Sequence, residues 1–140
     1  MHVPPQDFPE KYRIVDPTDP YEMGCGPFFT PLDDDGDPRI VLLAGPGHCN
    51  ASGILHGGLL VTMADLAIYT EAVRGQTGEG MLTVSLNSDF VAAASEGAFV
   101  EARAEVTRRT GSLAFLRAQI TSGDHVLLNC NAVVKRLRAG

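Results

Sequence analysis

Between residues 48 and 74 the chain reads HCNASGILHGGLLVTMADLAIYTEAVR, and this stretch decides the architecture. Residues 58–74 hold no proline, run longer than a buried strand and are followed by Gly75 as a stop, which predicts a helix. Apolar residues lie on nearly every side of that helix, so other structure has to wrap it. Four strand-like runs follow, punctuated by Glu96-Gly97, Thr110-Gly111 and Ser122-Gly123-Asp124. In residues 98–107, Val100, Ala102, Ala104 and Val106 alternate with Glu101, Arg103 and Glu105, the pattern of a strand with one wet face. Val84, Leu86 and Phe90 alternate with Thr83, Ser85, Asn87 and Asp89 in the run before it. The later runs carry Ala114, Leu116, Ala118 and Ile120, then Val126, Leu128, Cys130, Ala132 and Val134, at the same two-residue period. Upstream, residues 28–32 and 39–44 predict two strands joined by an acidic turn, Asp33-Asp34-Asp35-Gly36-Asp37-Pro38. Two strands, one long apolar helix and a four-strand meander define an α+β chain, an antiparallel sheet wrapped around one central helix.

The 140 residues suffice for one core, and folding at this size buries roughly two thirds of the surface an unfolded chain exposes. The net charge of −6 is unevenly spread: residues 1–40 hold nine acids and three bases, whereas residues 135–140 hold three bases and no acid. A nucleic-acid backbone demands clustered cations, which the acidic body lacks, so that partner is excluded. All nine prolines lie at or before Pro46, and six of them fall in residues 1–27. That lead is expected to be a Pro-rich acidic arm with room for a short helix, and the domain proper to span 28–140. Cys25, Cys49 and Cys130 are odd in number and form no CxxC, which fits a reducing cytoplasm and argues against a disulfide framework. The first residues show no basic and apolar leader pattern, and the apolar stretch at 57–69 is too short to span a bilayer.

Chemistry concentrates where the polar loop from His48 to His56 runs into Gly57-Gly58. The first N–H groups of a helix lack internal partners and sit at the positive end of its dipole, so two glycines there can bring bare donors against a ligand oxygen. Asp65 is the only charged residue between His56 and Glu71, and a carboxylate on so apolar a helix has to find partners, face a cavity or lose its charge. His48, Cys49 and His56 follow no metal-ligand spacing, so no metal or other cofactor is expected. Neither a Gly-Lys-Ser phosphate loop nor a Gly-x-Ser-x-Gly elbow is present.

The set Asn50-x-x-Gly53-x-x-His56-Gly57-Gly58 with Asp65 seven residues on resembles the hotdog-fold acyl-CoA thioesterases of the PaaI (phenylacetate-pathway) type, over about residues 28–137. The resemblance implies hydrolysis of aryl- or medium-chain acyl-CoA to free acid and CoA, in sites formed between subunits of a homo-oligomer, a tetramer built from dimers. It implies that the Gly57 N–H polarises the thioester carbonyl and that His56 and Asn50 shape the loop and contact the substrate. Asp65, reaching across from the other subunit, would act as general base or nucleophile, and Thr83 would help hold the water. Gly58 would join the substrate contacts. Arg108 and Arg109, at an expected hairpin tip, are candidates for the CoA phosphates. Two other readings of the same residues are a non-catalytic acyl-CoA binding module and a hotdog enoyl-CoA hydratase or dehydratase.

Overall fold

The computed structural model describes residues 3–77 and 80–137. Seven antiparallel strands form one sheet: β1 (Tyr12–Ile14), β2 (Phe29–Pro31), β3 (Ile40–Leu43), β4 (Met81–Phe90), β5 (Phe99–Arg109), β6 (Leu113–Ser122) and β7 (His125–Arg136). A six-residue helix, α1 (Pro20–Cys25), lies between β1 and β2, and the long helix α2 (Gly57–Val73) lies between β3 and β4. The α2 side chains Leu60, Met63, Ala64, Ile68 and Ala72 are buried against Ile40, Leu42, Val100, Leu116, Ile120 and Leu128 of the sheet. Each of the Leu, Ile, Val and Met side chains among these contributes roughly 1.5–3 kcal/mol of transfer free energy. Among the described residues no helix is long and apolar enough to cross a membrane.

Two sequence expectations are corrected. The spatial order is β1-β2-β3-β5-β6-β7-β4, so only β5, β6 and β7 form a meander. β4 crosses to the far side and pairs with β7, which makes it an edge strand. The alternation within β4 is also broken. Thr83 pairs with Val134 and Ser85 with Val133, leaving Val84 as a bulge residue. An extra residue shifts the two-residue period, so Met81 and Thr83 face α2 before the bulge and Leu86 after it, while Val84 and Phe90 stay 52% and 58% exposed.

β1 and α1 both fall within the residues read as an arm. Tyr12, Val41 and Phe99 form a second buried cluster, and Phe8 meets the rings of Tyr12, Phe29 and Phe99 edge-on at 5.1–5.3 Å between centroids. The acidic turn folds by its own side chains: Asp33 and Asp34 accept from the N–H groups of Asp35 and Gly36, both at positive φ.

Candidate active site

The loop before α2 is built by its polar side chains. Asn50 Oδ1 accepts from the N–H groups of Ser52 (2.9 Å) and Ile54 (3.2 Å), and its carbonyl accepts from Gly53, whose φ of +77° a side chain would resist. His48 Nδ1 accepts from the Gly45 N–H at 2.9 Å, so its proton sits on Nε2 and is donated to the Gly26 carbonyl at 3.1 Å. His48 is therefore spent on backbone. His56 is the N-cap of α2, and its Nδ1 accepts from the Gly58 N–H at 2.9 Å. That bond leaves His56 with an Nε2–H donor on an exposed ring.

The same bond corrects the expectation that both glycines offer free donors. Gly58 gives its N–H to His56, whereas the Gly57 N–H has no partner among the described residues. Both glycines sit at close approaches of a side chain. A Cβ at Gly58 would stand 3.1 Å from His56 Nδ1, and one at Gly57 would stand 3.1 Å from the ring of Phe90.

Asp65, half-buried at the middle of α2, accepts from Thr83 Oγ1 at 2.7 Å across 18 residues of sequence. The pair opens onto a cleft of about 810 Å³, within the size range of small-molecule sites. Its walls come from α2 through Leu66 and Tyr69, from β4 through Leu86, and from α1 through Tyr21. Gly57 is not part of this cleft. Eight residues separate it from Asp65, roughly 12 Å along the helix axis, so the donor and the carboxylate do not converge within one chain.

Sequence reasoning left a short helix in residues 1–27 open but did not place it beside Asp65. Asp16, Asp19, Tyr21 and Glu22 all line the Asp65 cleft. Asp19-Pro20-x-Glu22 does carry a helix-start signature, and Asp19 accepts from the Glu22 N–H at 2.9 Å. Nothing in that signature says where the helix docks. Glu22 is pushed up to about 7, first by burial and then by the neighbouring Asp19 and Asp16.

The candidate cations are mostly engaged. Arg109 donates to the carbonyls of Ala72 (2.9 Å) and Glu71 (3.3 Å), capping the C-terminal end of α2. Arg103 holds Asp37 with two N–H groups and also meets Glu101, Arg117 pairs with Glu105, and Arg136 donates to Gln76. Arg108 is exposed, and Arg138 lies outside the described residues.

The family model of the thioesterase superfamily matches residues 52–129, which take in the loop from Ser52 on, α2, the Asp65–Thr83 pair and most of the sheet. A Pseudomonas aeruginosa protein, PA0474, named as a candidate esterase, is 31% identical over 126 residues, covering 89% of this chain and 94% of the relative. A structure of a point variant of the phenylacetic acid degradation protein PaaI from Thermus thermophilus superposes with a TM-score of 0.73 at 25% identity, covering 85% of this chain and all of the other. The BH2602 protein of Bacillus halodurans, solved with CoA, gives 0.73 at 20% identity, covering 79% and 74% of the two chains. With the antiparallel sheet wrapped on one long helix, these likenesses establish that the chain has the hotdog fold and belongs to the thioesterase superfamily.

Proposed function

We propose that this protein is an acyl-CoA thioesterase whose sites are completed between two copies of the chain. The observation that carries the reading is the separation of Gly57 from Asp65 on one helix, each placed near an opposite end of the exposed edge strand β4. Thr83, near the start of β4, holds Asp65; Phe90, at its end, lies against Gly57. Two copies of β4 paired antiparallel about its middle, near Leu86, would set the Asp65–Thr83 pair of one copy beside the Gly57 N–H of the second. Such pairing would also cover an open edge on which Leu82, Val84, Phe90 and Val91 are each more than half exposed. Two such pairs would make the tetramer.

In the completed site the thioester carbonyl oxygen accepts from the Gly57 N–H, where negative charge develops as the carbonyl carbon is attacked. Asp65, oriented by Thr83, either takes a proton from the attacking water or attacks the carbon itself. The C–S bond then breaks and the thiolate of CoA departs. It is a good leaving group, so no strong acid is needed to protonate it. In the second route water then cleaves the acyl-Asp65 anhydride, freeing the acid and the carboxylate. His56 Nε2–H and Asn50 Nδ2 remain available as donors to the substrate. The CoA found with the Bacillus halodurans protein supports CoA as the carrier. With Arg109 occupied, Arg108 is the freer of the two cations for its phosphates. Arg108→Ala should raise KM for acyl-CoA while leaving that for a pantetheine thioester unchanged; equal effects would refute the contact.

The deciding experiment measures free-thiol release from aryl, short and long acyl-CoAs by wild type and by Asp65→Asn. Turnover should fall by about a hundredfold or more in the variant. Binding of acyl-CoA with no thiol release by wild type would replace the enzyme with a binding module.

A further inference from the structure

The N-terminal segment supplies a wall of the Asp65 cleft that the fold itself does not require. α1 lies outside the sheet, yet Tyr21 Oη and Thr62 Oγ1 are 3.1 Å apart, tying α1 to α2 across 41 residues of sequence. Thr62 stands one turn before Asp65 on the helix and lines the same cleft. Tyr21 and Asp65 therefore line one cleft, and Tyr21 stays 60% exposed. Tyr69, also exposed, presents a second aromatic ring to that space from α2. A rigid aromatic ring has few rotamers to lose and offers a fixed face for stacking, so it favours a planar partner.

Resting on the reading of this cleft as the acyl site, we propose that Tyr21 is a specificity-determining residue, its ring forming with Tyr69 an aromatic wall of the cleft that favours aryl over aliphatic acyl groups. The two tyrosines offer faces on which an aryl group packs, whereas a flexible aliphatic chain gains no such stacking and loses more rotamers on binding. Single groups in a hydrophobic pocket typically discriminate by about tenfold or more, which sets the size of effect to look for.

The test uses thioether analogues of phenylacetyl-CoA and decanoyl-CoA, which cannot be hydrolysed, with binding measured by titration calorimetry. Wild type should bind the phenylacetyl analogue about tenfold more tightly than the decanoyl one. Tyr21→Ala should erase that preference, and Tyr21→Phe, which keeps the ring and loses only the bond to Thr62, should retain most of it. A Tyr21→Ala preference within twofold of wild type overturns the proposal, as does a Tyr21→Phe variant that behaves like Tyr21→Ala. Failure of wild type to bind either analogue overturns both this proposal and the thioesterase reading. Binding in the expected pattern with no thiol released from the true thioesters overturns the thioesterase reading alone.

Discussion

Thr83 is placed by one extra residue. Without the bulge at Val84, the face of β4 that holds Leu86 against α2 would turn Thr83 outward. With the bulge, both side chains point inward, and Thr83 reaches Asp65 at 2.7 Å. A hydrogen bond to a charged group is worth about 1.5–3 kcal/mol, so Thr83→Val should lower kcat by about tenfold to a hundredfold with KM little changed. Thr83→Ser, which keeps the hydroxyl, should restore most of the rate; a serine variant as slow as the valine one would assign the loss to packing. At the other end of the site the backbone can be tested directly. Proline is well tolerated at the first position of a helix, and His56 before it already has φ −64° and ψ 134°, a conformation that a following proline accepts. Phe90 is exposed and free to shift from the added ring. Gly57→Pro therefore deletes the N–H and keeps α2, and kcat should drop by about a hundredfold to a thousandfold in a protein with unchanged circular dichroism.

At the scale of an element, α1 carries an electrostatic cost that depends on pH. Glu22 stands near 7 in the folded chain against about 4.5 when unfolded. The folded state thus keeps a proton that the unfolded state loses over that interval, so the stability this group contributes is complete below about 4.5 and is lost as pH rises through 7. Asp16, lowered by bonds from Thr18, and Asp37, lowered by Arg103, run the opposite way and lose their contributions only in acid. Glu22→Gln should raise Tm relative to wild type at pH 8 and match it near pH 4.5. Equal Tm differences at both pH values would show that the carboxyl charge is not the cause. The short helix is legible in Asp19-Pro20-x-Glu22, but its seat beside α2, where Tyr21 meets Thr62, is encoded by no local pattern.

For the whole molecule, the two-copy site makes a prediction that no single-chain site shares. A mixed pair of Asp65→Asn and Gly57→Pro chains has one site carrying both defects and one site carrying neither. Mixing the inactive proteins after mild dissociation should restore about a quarter of wild-type turnover, since about half the pairs are mixed and each keeps one of two sites. No recovery above the separate variants would place the chemistry within one chain. The sequence by itself determined the long apolar helix, the alternating strands of β5 and β6, the turn chemistry at Asp33–Asp34–Asp35 and the loop built by Asn50, Gly53 and His56, because side-chain period, helix capping and turn hydrogen bonds act over a few residues. It also pointed to Asp65, since a lone carboxylate on an apolar helix calls for a partner. The tertiary structure alone decided the position of β4 beside β7, the bulge that turns Thr83 inward, the bond that takes up the Gly58 N–H, the use of Arg109 as a helix cap and the seat of α1 over the cleft. Each of these depends on which distant surfaces compete for the same groups, and that competition is settled by packing around the helix rather than by any short stretch of chain.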